Sequence, residues 1–164
     1  MLPFAVSAAR QAGYFGLRMH TNARLIRDFH EALSRFYAGG DIEAVRAMLM
    51  DDIAWHVPGR SAIAGDYEGK NDVLGYFHQR RQLGRGTFKV HVHDVLANDE
   101  RAVLFAGGQA ERDGRTIKWE TVGIFRIEVG QIAECWLLPF DQYAFDEIWS
   151  REWPRQDRAK PASG

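Results

Sequence analysis

The sequence predicts an α+β fold in which three N-terminal helices pack in the hollow of a strongly bent, cone-shaped, mainly antiparallel sheet. Three observations carry that prediction. Residues 87–140 read as four strands joined by tight turns, and helical stripes precede them rather than alternate with them. The pairs Asn98-Asp99, Asp113-Gly114 and Val129-Gly130 punctuate the strands at hairpin spacing. A meander curved over helices leaves an apolar hollow with a few polar groups inside, the usual form of a small-molecule site.

The first helix is expected over residues 22–37, because Leu25, Ile26, Phe29, Leu33 and Phe36 recur at three- and four-residue steps. Thr21 or Asn22 is its expected N-cap, and Gly39-Gly40 its stop. Asp41 is expected to cap a shorter second helix carrying Ile42, Val45, Met48 and Leu49, which makes the pair a helical hairpin. A brief strand over residues 53–57 ends at Pro58-Gly59, and a loop holding Tyr67 runs on to Gly69. The third helix starts at Asn71 or Asp72, buries Val73, Leu74 and Phe77, and ends before Gly84.

With two-residue loops at the three turns, positions 97 and 100, 112 and 115, and 128 and 131 face each other. Counting back places His93 opposite Leu104, Gly108 opposite Trp119, Gly123 opposite Trp136, and Trp119 opposite Phe140. Side chains alternate between the two faces of a strand. One face then collects His91, His93, Trp119, Thr121, Trp136 and Phe140, together with Leu104, Ala106, Gly108, Gly123, Phe125 and Leu138. It has no Lys or Arg, and its glycines sit beside tryptophans, so it is expected to line the pocket. The other face, with Lys118, Glu120, Arg126 and several aliphatics, suits solvent or a subunit contact. By the same parity Cys135 falls on that outer face. A single β-bulge would exchange the faces from that point onward.

A chain of 164 residues, 46% hydrophobic and 26% charged, is ordinary for one soluble domain. A formal net charge of −1 argues against nucleic acid as the main partner. The one cysteine, Cys135, cannot close an internal disulfide, which points to a reducing, cytoplasmic setting. No apolar run reaches the length of a membrane span. Residues 1–18 are expected to be disordered or an upstream extension. Leu2–Ala9 is apolar without a preceding positive charge, a poor secretory signal, and Met19 stands just before the first strong helix as a candidate start. Residues 19–153 are expected to form a single domain, and residues 154–164 a flexible tail.

Several motifs give this order of elements a family likeness. They are Gly39-Gly40-Asp41 in the helix hairpin, Trp55-His56-Val57-Pro58-Gly59 followed by Ala64-Gly65-Asp66-Tyr67-Glu68-Gly69, and Gly130-Gln131-Ile132-Ala133-Glu134 with Trp136 and Asp141. On these residues the chain resembles the SnoaL-like polyketide cyclases, within the nuclear transport factor 2-like (ketosteroid isomerase-like, cystatin-like roll) superfamily, over residues 20–150. The resemblance implies a homodimer paired through the sheet and an apolar small-molecule ligand without a dissociable cofactor. It implies a fold more firmly than an activity, since the superfamily holds isomerases, cyclases, hydrolases, dehydratases and binding modules.

In the resembled cyclases an aspartate near the end of the last strand is a general acid/base, and Asp141 matches that position. Desolvation against Trp136 and Phe140 would raise its pKa toward the range useful for proton transfer. The competing reading is that Asp141 merely caps the helical segment that follows it. His56, beside Trp55 on the expected rim, is a candidate proton relay or carbonyl donor, or else a structural imidazole bonded to backbone. Tyr67 offers a hydroxyl for a developing oxyanion. His91 and His93 leave one face of a strand at a spacing able to offer two ligands to a metal, but the sequence fixes no third, so they are read as polar pocket groups and no metal is assigned. Trp55, Trp119, Thr121, Trp136 and Phe140 complete the expected pocket wall. Cys135 has no histidine partner in this scheme, and the chain carries neither a phosphate loop nor a nucleophile-elbow motif. The expected chemistry is proton movement alpha to a carbonyl, the step common to cyclisation and isomerisation, with simple ligand binding as the alternative.

Overall fold

The computed structural model describes residues 19–150. The expectations for residues 1–18 and 154–164 therefore lie outside the described residues. Helix α1 spans Thr21–Tyr37, α2 Glu43–Ala47, α3 Lys70–Gly84 and α4 Gln142–Ile148. The strands are β1 Leu49–Val57, β2 Gly65–Glu68, β3 Lys89–Ala97, β4 Arg101–Arg112, β5 Arg115–Glu128 and β6 Gln131–Pro139. They form one six-stranded sheet in the order β2-β1-β6-β5-β4-β3. The β1–β6 pair is parallel and the other pairs are antiparallel. The architecture is α+β, as the sequence predicts.

Each helix is fixed by local chemistry. α1 buries Ile26, Phe29, Leu33 and Phe36 along its predicted stripe. Its cap is His20, one residue ahead of the expected pair, because the imidazole Nδ1 reaches back to accept the Asn22 N–H at 3.1 Å. The helix stops where Gly39 takes φ 112° and the Gly40 N–H closes on the Arg35 carbonyl at 2.9 Å. The N-cap of α2 is Ile42 rather than the expected Asp41, although the Asp41 carboxylate, one residue ahead, accepts the Glu43 N–H at 3.0 Å. β1 begins earlier than expected because Leu49 pairs with Ile132. The segment 65–68, read as loop, pairs with β1 as an edge strand; only its Tyr67 is half-buried, so no alternation signals it.

The strand register explains which side chains face the helices. The 112/115 and 128/131 turns are as expected, and Gly108 does stand opposite Trp119. The first turn is wider: the Asn98 side chain accepts the N–H groups of Glu100 and Arg101 at 3.0 and 2.8 Å, so Ala97 pairs with Ala102. Two bulges then override the parity count. One, between Val92 and Asp94, leaves His93 unpaired and sets His91 opposite Gly107; the other, against Arg126 and Ile127, inserts Ala133 into β6. Gly123 consequently faces Leu137, and Trp136 pairs with Ile124.

The sheet curls around α1 and α3, and an aromatic cluster fills the contact. Phe29, Trp55, Phe77 and Phe125 lie with ring centroids 5.1–6.5 Å apart. All four are at least 96% buried, each adding about 2–3 kcal/mol of transfer free energy. α4 closes one end of the hollow by setting Trp149 against Phe88 and Trp119 at 5.2 and 5.4 Å. Asp146 pins α4 in place by accepting the Arg60 and Ser61 N–H groups at 2.9 and 3.1 Å.

Candidate functional site

A cavity lies between the helices and the inner sheet face. The space there for the centres of water-sized spheres is about 40 Å³, and the hollow is partly open to solvent. Its wall is apolar on β4 and β5, where Leu104, Ala106, Trp119 and Phe125 project inward. Glycines make the space: a Cβ on Gly108 would overlap the Trp119 ring, and one on Gly123 would come within 2.8 Å of the Phe125 ring. Thr121 also faces in, its hydroxyl already donating to the Ala106 carbonyl at 3.3 Å.

Two polar side chains enter the cavity from the helices. His30 sits on the α1 stripe among Ile26, Phe29 and Leu33, and is 8% exposed. Its Nδ1–H donates to the Ile26 carbonyl at 2.9 Å, since a carbonyl can only accept. That bond fixes the tautomer and leaves Nε2 as a lone-pair acceptor. Burial, opposed by the Ile26 bond and assisted by the Arg80 charge, lowers the pKa to about 4. The ring is therefore neutral near pH 7. Arg80 occupies the buried stripe of α3 after Val73, Tyr76 and Phe77, is 8% exposed, and its Nε has no hydrogen-bond partner. The indole N–H of Trp55, which also lines the cavity, is buried without an acceptor. Burial raises the Cys135 thiol well above its ordinary pKa despite the Arg80 charge, so this cavity cysteine is a poor nucleophile.

The structure separates most of the sequence-expected residues from this cavity. Trp55, Trp119 and Thr121 line it. His91 and His93 instead point outward, both exposed, because the bulge at His93 turns them away; His93 Nε2 lies 2.8 Å from Glu120. Trp136 and Phe140 are also outside, because the extra residue Ala133 inverts the parity of β6 and brings Cys135 and Leu137 inward in their place. Asp141 is exposed at the N-cap of α4, where its carboxylate accepts the Ala144 N–H at 3.0 Å. Tyr67 donates its hydroxyl to the Ile63 carbonyl at 2.8 Å and packs on Tyr76 behind the cavity wall. Neither Asp141 nor Tyr67 reaches the cavity, which corrects the catalytic placement expected for them.

His56 is the remaining correction. It lies on the outer face of β1, in an open groove with Pro58, Asp66 and Trp136. Its Nδ1 is 2.7 Å from Asp66, its Nε2 is 2.9 Å from Glu134, and its ring stacks on Trp136 at 5.4 Å. Partial burial pulls its pKa down, and the two carboxylates more than reverse that, leaving it raised. Glu134 is held below the usual carboxylate range, since His56 and Arg126 outweigh its desolvation. Every polar atom of this imidazole is satisfied. Among the described residues no group of three His, Cys, Asp or Glu side chains is placed to hold a metal ion.

Sequence reasoning missed His30 and Arg80. The signal was available: each is a polar residue at the i+3 or i+4 step of a helix's apolar stripe, a position that is normally apolar.

The profile of the SnoaL-like domain matches residues 26–135. The chain belongs to this family. An uncharacterised protein of Mycobacterium tuberculosis is 24% identical over 115 residues, which cover 70% of this chain and 88% of the relative. Bal32a, from a soil-derived mobile gene cassette, superposes with a TM-score of 0.71 at 29% identity, covering 79% of this chain and 96% of its own. TerC, crystallised with polyporic acid, has the same fold at a TM-score of 0.68 and 17% identity, covering 79% of this chain and 98% of its own. The SnoaL-like family expected from the motifs is thus shown, and the solved structures share its fold.

Proposed function

We propose that this SnoaL-like protein binds a small apolar carbonyl compound in the inner cavity and moves a proton alpha to its carbonyl without a dissociable cofactor. The observation that carries the reading is His30: a neutral imidazole with a fixed tautomer and an unoccupied acceptor nitrogen, set in an apolar cavity. His30 Nε2 would accept the proton. The Trp55 indole N–H, buried and lacking an acceptor, would donate to the enolate oxygen as charge develops there. Phe125 packs edge-on against both rings, with centroids 6.0 Å from each. A base with so low a pKa suits an acidic carbon, such as one beside two carbonyls in a polyketide-like compound. Cyclisation and isomerisation both begin with this step.

The test is deuterium exchange alpha to the carbonyl of a slowly exchanging bicyclic ketone such as 2-tetralone. Wild-type protein should accelerate exchange, and His30→Gln should slow it by about 100-fold or more, with ligand affinity retained. Exchange that survives His30→Gln would reject His30 as the base. A second reading, a non-catalytic binding module, is favoured by the lack of any Asp or Glu among the described residues lining the cavity. Binding without exchange by the wild-type protein would select it. TerC, crystallised with polyporic acid, supports ligand binding on this fold under either reading.

The expected homodimer remains part of this proposal. Phe105, Leu138 and Phe140 are 36%, 45% and 68% exposed on the outside of the molecule, a concentration of apolar surface that suits a second copy. Light scattering should give a dimer mass, and Leu138→Asp should lower it to the monomer's. Cytoplasmic residence is proposed from the unpaired, buried Cys135. No described helix is long and apolar enough to cross a membrane.

A further inference from the structure

Arg80 is out of place for a purely structural residue. A guanidinium does not shed its proton in a protein, and a buried charge without a partner is strongly destabilising. Yet no described carboxylate lies within ion-pair reach of Arg80. Aromatic rings recover part of the cost: the guanidinium carbon stands 4.5 Å from the Phe88 ring centre, 4.9 Å from that of Trp149 and 5.4 Å from that of Tyr76. The rings attract the positive charge but offer no acceptor lone pair to its N–H bonds. Its N–H bonds run in the plane and need acceptors at the edge.

The surroundings lack the same thing. The indole N–H groups of Trp55 and Trp149 and the hydroxyls of Tyr37 and Tyr76 are buried with no hydrogen-bond partner. All four can donate and none carries a negative charge. Buried polar groups are nearly always satisfied, so these four, three of them on rings packed against a cation with no carboxylate partner, mark a site that a ligand bringing acceptor oxygens and one negative charge would complete. Arg80 lines the cavity beside Phe88 and Trp119, whose rings stack 5.7 Å apart at 13°. The space beside these rings is small, which favours a flat ring over a bulky one.

Resting on the reading of the cavity as the ligand site, we propose that its ligand is a flat, apolar acid bound as the carboxylate, gripped at the edge of the Arg80 guanidinium. The two carboxylate oxygens match the planar fork of N–H donors. The ring lies along the aromatic wall and leaves His30 to the reacting carbon. A single cation sets the preferred charge at one, so inorganic phosphate is a poorer occupant.

Titrations with 1-naphthoate, 1-naphthamide and inorganic phosphate, read by calorimetry and tryptophan emission, test this directly. Wild-type protein should bind the carboxylate about tenfold or more tighter than the isosteric amide, with phosphate weakest. Arg80→Met keeps the apolar stem and should erase the preference, while Arg80→Lys should keep part of it. If Arg80→Met fails to fold, Arg80→Lys alone carries the measurement, since loss of the two-bond fork should still narrow the ratio. Equal binding of acid and amide by wild type, or a preference that persists in Arg80→Met, overturns the proposal and makes Arg80 a structural plug. Phosphate binding tighter than the carboxylate also overturns it. His30→Gln separates this inference from the catalytic one: a carboxylate preference with no deuterium exchange by any form leaves the anion site standing and removes the chemistry. Exchange by wild type with no dependence on Arg80 does the reverse.

Discussion

The chain carries two imidazoles in contrasting settings, and the contrast separates an unsatisfied site from a structural one. His30 is buried inside, bonded to one backbone carbonyl, with its second nitrogen unoccupied. His56 is on the outer groove, clamped between Asp66 and Glu134 and stacked on Trp136. The first has its pKa lowered to about 4 by burial; the second has it raised by carboxylates. His56 looks more like a catalytic dyad on paper, but its partners already occupy both nitrogens and it faces an open surface. His30 and Arg80 have unused bonding capacity in a mainly apolar hollow, and unused capacity is what a ligand can complete.

The largest expected effect tests the inner half of that comparison. A histidine whose folded pKa lies below its unfolded value of about 6.5 stabilises the fold at neutral pH. Between pH 6.5 and about 4 the unfolded state binds a proton that the native state refuses, so the contribution is lost as pH falls. The full swing is on the order of 3 kcal/mol. Urea unfolding of wild type should therefore weaken steeply from pH 6.5 to 4.5. His30→Gln should flatten that part of the profile by about 2 kcal/mol, beyond the loss that carboxylates such as Glu134 cause in both proteins. Nitrogen-detected NMR should show His30 as the Nδ1–H tautomer at pH 6. A His30 that titrates near pH 6.5 would dissolve the contrast with His56.

Neighbouring glycines sharpen the comparison of inside with outside. A Cβ on Gly108 would run into the Trp119 ring within the packed wall, whereas one on Gly107 meets only the ends of His93 and Glu120, at 3.0 and 3.1 Å, on the outer face. Gly108→Ala should cost about 1–3 kcal/mol and lower ligand affinity. Gly107→Ala should stay within about 0.5 kcal/mol, because two exposed side-chain ends can move aside. Thermal unfolding of the two variants decides it; equal losses would mean that the inner wall is as yielding as the surface.

These glycines also show how far the sequence could be read. Gly108 opposite Trp119 follows from the Asp113-Gly114 turn, whose two-residue loop fixes the register over all of β4 and β5. Beyond that hairpin the count fails for identifiable reasons. The Asn98 side chain widens one loop, and the insertions at His93 and Ala133 reverse the sides of β3 and β6. Strand parity has a period of two, so one extra residue exchanges every later side chain between cavity and solvent. That is why strand parity alone puts His91, His93, Trp136 and Phe140 on the wrong side. Helical periodicity has no such weakness, and the stripes of α1 and α3 came through intact. His30 and Arg80 were legible as polar interruptions of those stripes. Their missing partners were not, because an unsatisfied bond exists only once the chain has folded around it.

Asp141 gives the next smaller effect and the clearest division between role and resemblance. Its carboxylate caps α4, whose Phe145 and Ile148 pack under the sheet. Asp141→Ala should cost about 1 kcal/mol and Asp141→Asn only a few tenths, with deuterium exchange unchanged in both. Loss of exchange in the folded Asn variant would return the chemistry to Asp141 and away from His30.

The smallest effect belongs to the outer groove, and its sign is opposite to that of His30. Because the His56 pKa is raised on folding, its contribution is complete below about pH 6.5 and fades as pH climbs through the folded value. The side chain is 31% exposed, so the pair interactions are worth about 0.2–1 kcal/mol at most. His56→Gln should therefore be less stable than wild type near pH 5.5 and indistinguishable from it at pH 9, with the gap narrowing further in 1 M salt, where the screening length is about 3 Å. Chemical-shift titration of the wild-type ring supplies the independent check. A folded pKa at or below that of a free imidazole would mean that Asp66 and Glu134 do not hold the charge, and His56 would then have to be counted among the unsatisfied groups.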